Sequence, residues 1–124
     1  PAMLEAAEKR AGAVLLPGDI LLVRAWPGRH TEDGFLKCAG LNREAADWVV
    51  ARGVKALGCD LASPDDPKDL SRPVHMVLLG QGIPIMEHVA HLDALPRARF
   101  QFVGVPLRIR GATGSPIRAI AIIE

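Results

Sequence analysis

The sequence predicts a mixed α/β fold built from short helices and strands. Apolar runs typical of strands alternate with amphipathic segments over the first two thirds, and two β-rich runs close the chain. Ten prolines and twelve glycines are spread between these elements and form no linker. A chain of 124 residues suffices for one core and is short for two. We therefore expect a mixed sheet with flanking helices in a single domain over residues 1–124.

The first half of the chain predicts two helix–strand pairs. Residues 2–10 carry apolar side chains at helical spacing, and the strand predicted at 20–24 begins with four consecutive apolar residues, as in a strand covered on both faces. Asn42 is a suitable N-cap for a helix that Gly53 ends, because asparagine caps helix starts and glycine commonly follows helix ends. Residues 54–59 follow as a second apolar strand.

An acidic loop, residues 60–69, opens the second half of the chain. It is followed by an expected helix over residues 73–79, because proline is favoured in a first helical turn. Asp69 or Ser71 is the predicted N-cap of this helix. Residues 83–86 predict a strand, and the proline within it indicates a sheet edge or a strand start.

The end of the chain predicts a β-hairpin. Residues 91–95 form at most one helical turn. The runs at 100–109 and 117–123 are rich in β-branched and aromatic residues and are joined by a turn at 110–116. A phosphate-binding loop at 111–115 is the less favoured alternative, since this segment precedes a strand and lacks the free amides of a helix N-terminus.

Composition excludes several classes of protein. The net charge is +1, from 15 basic and 14 acidic residues, which argues against nucleic-acid binding. The arginine cluster Arg108, Arg110 and Arg118 is interpreted as a solvated strand face. No apolar run approaches the roughly 18–20 residues needed to cross a bilayer. Cys38 and Cys59 form no C-x-x-C pair and are expected to be free thiols, which favours a cytoplasmic protein. A small molecule is the expected partner.

Two residues are candidate metal ligands. His75 lies early in the helix at 73–79, and Glu87 follows the strand at 83–86, at the strand end where α/β sheets tend to bind ligands. A helix and a returning strand would bring them together, and imidazole with carboxylate suits Zn²⁺ or Mn²⁺. On spacing alone, a helix-surface histidine and a solvated or salt-bridged glutamate remain the alternative. His30, in a polar loop, is expected to be exposed to solvent.

Several motifs follow one another along nearly the whole chain. They are Pro17-Gly18-Asp19-Ile20 followed by Trp26, the turn Gly58-x-Asp60-x-x-Ser63, the segment from His75 to Glu87, and the closing Gly114-Ser115-Pro116-x-Arg118 strand. Their order and spacing resemble the carboxyl-terminal part of the cyclase family. This is a family of metal-dependent hydrolases that includes bacterial kynurenine formamidases and isatin hydrolases.

The resemblance implies a swivelling β/β/α domain that assembles into homo-oligomers. It also implies that His75 and Glu87 bind a divalent metal, Zn or Mn, which polarises a carbonyl and activates water. In the family, an upstream H-x-G-T-H-x-D-x-P motif supplies the other ligands, and this motif is absent here. His88 stands where the family usually carries Asn. We therefore expect the chain to correspond to the last half to two-thirds of a family member, lacking its amino-terminal portion.

Two functions follow from the resemblance. The first is hydrolysis of a cyclic or N-acyl amide by a metal-dependent enzyme of the arylformamidase type. This chain would form a part of that enzyme, and the isolated chain is expected to be inactive. The alternative is a non-catalytic scaffold or interaction domain that keeps the fold and has lost the site. The absent upstream motif favours the alternative for the isolated chain, whereas bound metal would favour the enzyme.

Overall fold

The computed structural model describes residues 1–123, which form two compact units, one over Pro1–Ala94 and one from Leu95 onward. Both helices and strands are present, as the sequence predicts. The elements are α1 Ala2–Ala11, β1 Ile20–Val23, α2 Arg43–Ala51, β2 Ala56–Cys59, α3 Pro73–Gly80, β3 Ile85–Met86, β4 Gln101–Pro106 and β5 Ile117–Ile122. Short 3-10 turns lie at Phe35–Lys37 and Leu92–Ala94.

The first unit contains a parallel sheet with the strand order β1-β2-β3. Leu57 of β2 lies opposite Leu21 of β1 on one side and Ile85 of β3 on the other. Helix α2 connects β1 to β2, and α3 connects β2 to β3, because parallel neighbours need a crossover between them. The carboxyl ends of all three strands therefore meet at one edge of the sheet.

The core of this unit lies between the central strand and two helices. Val49 of α2, Leu57 of β2 and Val74 of α3 are completely buried. All four residues of β2 are buried, whereas the residues of β1 are only half-buried. The expectation that the run at 20–24 is covered on both faces was wrong: every residue of β1 keeps some exposure and Arg24 is exposed, and β1 lies at the sheet edge whereas β2 occupies the centre.

Asn42 caps α2, as predicted, by accepting a hydrogen bond from the Ala45 amide at 3.0 Å. The predicted N-cap of α3 was wrong. Arg72 holds that position with a left-handed φ of 47°, and its own side chain makes no capping hydrogen bond. Asp69 instead bonds to the amide and the hydroxyl of Ser71, so its carboxylate is engaged within its own turn.

The second unit is an antiparallel hairpin of β4 and β5, paired from Gln101 opposite Ile122 to Pro106 opposite Ile117. Its connecting loop, residues 107–116, is longer than the predicted turn. Strand β4 stops at Pro106 because proline has no amide hydrogen to continue the ladder. The loop is braced where the Leu107 amide donates to the Ser115 hydroxyl at 2.9 Å. Its arginines, Arg108 and Arg110, are exposed, as is Arg118 on β5.

Candidate metal centre

The two predicted ligands meet near the carboxyl edge of the parallel sheet. Glu87 directly follows β3, and His75 is the third residue of α3, the helix that leads into β3. The distance between His75 Nε2 and Glu87 Oε1 is 3.6 Å, and their side chains are 25% and 36% exposed. This distance is longer than a hydrogen bond, so the two atoms face each other across a gap that is open to solvent.

Asp65 holds the other side of the His75 ring. Its side chain is only 2% exposed, and His75 Nδ1 donates to its Oδ2 at 2.5 Å. The same carboxylate accepts the amide of Val74 at 2.6 Å and the amide of His75 at 3.3 Å. Asp65 therefore takes over the capping role that the sequence assigned to Asp69 or Ser71, and it fixes the ring at the same time.

Sequence reasoning missed Asp65 because its partners lie nine and ten residues further along the chain. A side-chain cap normally lies within three residues of the amides that it satisfies. One signal was available: a helix that begins with proline and has arginine before it lacks a local cap, so an acidic residue of the preceding loop is a candidate. Besides Asp69, the loop offers Asp60, Asp65 and Asp66, and only the fold distinguishes them.

The spacing of His75 and Glu87 fits a shared metal ion. With metal–ligand distances of about 2.0–2.2 Å and tetrahedral angles, a nitrogen and an oxygen ligand lie about 3.3–3.5 Å apart. The observed 3.6 Å between Nε2 and Oε1 is close to that value. Within residues 1–123, no group of three or more His, Cys, Asp or Glu side chains is arranged to hold a metal. Among the described side chains, this spacing therefore involves only the two candidate residues, His75 and Glu87.

A second buried carboxylate, Asp60, organises the loop after β1. Its Oδ1 accepts the amides of Ala25 at 2.7 Å and Trp26 at 3.1 Å. The Asp60 carbonyl lies 2.9 Å from His30 Nε2, which is the donor in this hydrogen bond. The expectation that His30 is solvent-exposed was wrong: it is half-buried, because this bond and the ring of Phe35, at 4.8 Å between centroids, hold it against the protein.

Phe35 is the centre of an aromatic cluster that includes His88, the residue that follows Glu87 in the chain. The rings of Trp26, His30 and His88 all meet its ring edge-to-face. His88 adopts a left-handed φ of 55°. Histidine is one of the residues enriched in this conformation, which gives a physical reason why His can stand at this position.

Cys59, the last residue of β2, adds a neutral group near this edge. The pKa of its thiol is raised from 9.0 to about 11, mainly by burial and to a smaller extent by the negative charges of Glu87 and Asp60. The thiol is 1% exposed, and Cys38 is half-buried in its loop. Both cysteines are free, as predicted. A buried thiol that stays protonated is a poor metal ligand, since the thiolate is the binding form.

Across residues 1–123, every helix is too short or too polar to cross a bilayer.

Comparisons with known proteins agree with the family resemblance. The kynurenine formamidase of Sphingopyxis alaskensis is 37% identical over 79 residues, covering 61% of this chain and 37% of that protein. The Bacillus cytotoxicus kynurenine formamidase is 35% identical over 77 residues, covering 62% of this chain and 36% of that protein. This chain thus spans little more than a third of the length of these curated relatives.

The fold agrees as well. Isatin hydrolase A from Ralstonia solanacearum matches 99% of this chain and 52% of its own, with a TM-score of 0.84 and 26% identity. The cyclase-like mixed α/β fold expected from the sequence is therefore confirmed. The Cyclase family model matches residues 1–66, which include Asp60 and Asp65 and end before His75. Since residues 1–66 are more than half of this chain, the chain belongs to the Cyclase family.

Proposed function

We propose that this chain forms part of a metal-dependent hydrolase that cleaves a carbon–nitrogen bond in a small cyclic or N-acyl amide. The observation that carries the proposal is the geometry of His75 and Glu87, whose Nε2 and Oε1 atoms lie 3.6 Å apart and face each other without a hydrogen bond. Kynurenine formamidases and isatin hydrolases are among the similar proteins, which supports amide and lactam substrates.

In this proposal His75 and Glu87 bind one divalent cation, Zn²⁺ or Mn²⁺. His75 contributes the lone pair of Nε2, and Glu87 contributes negative charge through Oε1. A bound cation of this kind polarises a carbonyl and lowers the pKa of a coordinated water. Catalytic zinc commonly has three protein ligands, so the proposed site requires at least one ligand beyond these two.

The chain's own residues have separate tasks in this site. Asp65 holds the His75 ring from behind, and the left-handed backbone at His88 turns the chain directly after Glu87. Cys59 stays neutral beside Glu87, because burial raises its pKa to about 11, so it adds no negative charge of its own near neutral pH.

Metal binding tests the ligand assignment. We expect the wild-type chain to bind Zn²⁺ or Mn²⁺ in calorimetric titration and Glu87→Ala to bind it roughly tenfold more weakly or worse, since one of two ligands and a charge are lost. Glu5→Ala is the matched control, because Glu5 is an exposed carboxylate on α1, remote in sequence from the site. Equal affinity in wild type and Glu87→Ala would refute the assignment.

The non-catalytic scaffold is the second candidate, favoured by the absence of a third ligand among the side chains of residues 1–123. Hydrolysis of N-formylkynurenine or isatin separates the two. Turnover that a chelator abolishes, and that His75→Ala lacks, supports the enzyme. A chain that neither binds metal nor turns over either compound supports the scaffold, because the scaffold keeps the fold and has lost the site.

A further inference from the structure

We propose that Asp65 is a positioning residue that holds neutral His75 as the tautomer with its proton on Nδ1, so that the Nε2 lone pair points toward Glu87. The effect of this tautomer on metal binding rests on the function proposed above, whereas the tautomer itself does not depend on that function. The starting observation is that three N–H donors converge on one buried carboxylate: the Val74 amide, the His75 amide and His75 Nδ1.

The two oxygens of Asp65 divide these donors between them. Oδ1 accepts the Val74 amide at 2.6 Å, whereas Oδ2 accepts the His75 amide at 3.3 Å and Nδ1 at 2.5 Å. A carboxylate offers only acceptors, so the ring nitrogen that faces it must be the one that carries the hydrogen. In a neutral imidazole the other nitrogen then has a free lone pair, and that nitrogen is Nε2.

Asp65 cannot turn away from this arrangement, because its backbone is also held. The Leu41 amide donates to the carbonyl of Pro64 at 2.6 Å, and the Asp65 amide donates to the Ser63 hydroxyl at 3.2 Å. Gly40 allows this close approach, since any Cβ there would collide with the Pro64 carbonyl. The carboxylate is therefore fixed both by its own loop and by the first turn of α3.

The Asp65→Asn substitution keeps the shape of the Asp65 side chain and replaces one of its two acceptor oxygens by a donor. An amide has one oxygen and one NH₂ group, so it cannot accept on both sides. If its oxygen stays on the buried Val74 amide, its NH₂ takes the place of Oδ2. The His75 amide then loses its acceptor at 3.3 Å, and Nδ1 must accept, so the proton moves to Nε2. If the amide is turned round, the NH₂ faces the Val74 N–H, and a buried donor is left without an acceptor, at a cost of about 1–3 kcal/mol.

The tautomer can be read directly by ¹⁵N NMR of the histidine rings in the metal-free chain, at a pH where the ring signals no longer change. We expect a pyrrole-type Nδ1 and a pyridine-type Nε2 for His75 in wild type, and the reverse in Asp65→Asn. Asp66→Asn is the matched control, because Asp66 accepts the Lys68 amide and does not contact His75. It should keep the wild-type signals.

Two results would overturn the proposal. One is a wild-type His75 with its proton on Nε2, which is decisive even if Asp65→Asn does not fold. The other is an Asp65→Asn chain that folds, by circular dichroism, and keeps the wild-type tautomer. Either result removes the positioning role whatever the metal does.

Metal titration links the tautomer to the proposed function. We expect Asp65→Asn to weaken Zn²⁺ binding about 10–100-fold, the usual effect of losing the partner that orients a histidine ligand, and Asp66→Asn to leave it unchanged. Glu87→Gln should weaken Zn²⁺ binding and keep the wild-type tautomer. If the tautomer responds to Asp65→Asn but Glu87→Gln and wild type bind Zn²⁺ equally, the metal assignment fails and the positioning role stands.

Discussion

Apolar strand residues are more deeply buried in the first compact unit than in the second. In the first unit, Leu57 of the central strand is completely buried beneath α2 and α3. In the hairpin, Val105 of β4 is 67% exposed and Ile120 of β5 is 46% exposed, and no described residue from 95 to 123 is buried. The strands of both units are rich in apolar residues. Only β2, which has a neighbouring strand on each edge and helices packed over it, forms a core.

This difference has a consequence for the candidate site. Asp65, His75 and Glu87 all belong to the unit that has its own core. A rigid element is a better support for a ligand-binding side chain than an exposed one, because its backbone cannot relax when the ligand leaves. The geometry of the site should therefore depend on the packing around β2.

The largest effect expected is from truncating the central strand. Leu57→Ala should lower the free energy of unfolding by about 2–5 kcal/mol, because it leaves a cavity in a fully packed core. Ile120→Ala, the matched change in the hairpin, should cost about 1 kcal/mol or less, since that side chain is 46% exposed. Urea unfolding followed by far-UV circular dichroism measures both variants, because both units contain strands that contribute to this signal. Equal losses of unfolding free energy in the two variants would contradict the difference in burial between β2 and the hairpin.

Burial also separates the two cysteines of the first unit. The neutral Cys59 thiol is favoured in the folded chain, so the stability linked to it is present below the ordinary pKa of 9.0 and is lost as the pH rises toward about 11. Over this range we expect unfolding free energy to fall by about 2–3 kcal/mol in Cys38→Ser and not in Cys59→Ser.

A thiol reagent checks the same burial independently. At pH 8, wild type and Cys59→Ser should each react at one thiol, which is Cys38, whereas Cys38→Ser should react only in denaturant. Rapid labelling of native Cys38→Ser would contradict the burial of Cys59.

A pair of glycines sharpens the contrast with a smaller effect. A Cβ at Gly58 in β2 would collide with Leu22 Cδ2 and lie 3.4 Å from Met86 Cε, whereas a Cβ at Gly114 in the hairpin loop would have no neighbour within 4 Å. Gly58→Ala should therefore destabilise by about 1–3 kcal/mol through overpacking. Gly114→Ala should stay within about 0.5 kcal/mol of wild type. Thermal unfolding measures both, and a neutral Gly58→Ala would mean that Leu22 gives way freely.

Much of the element order could be predicted from local signals. The cap at Asn42, the proline at the start of α3 and the β-rich runs of the hairpin all act within a few residues, so they can be seen in the sequence. What could not be predicted was the position of each strand in the sheet. The run at 20–24 is as apolar as a central strand, yet β1 lies at the edge, because strand order depends on contacts between distant segments.

The sequence by itself determined the mixed α/β class, the free cysteines and the choice of His75 and Glu87 as a candidate pair, since each depends on residue type and local spacing. Only the tertiary structure decided that Nε2 and Oε1 face each other at 3.6 Å and that Asp65, ten residues away, holds the opposite side of the ring. The physical reason is that hydrogen bonds to a buried carboxylate form wherever the fold brings donors together. The spacing of residues along the chain does not show which donors the fold will bring to such a carboxylate.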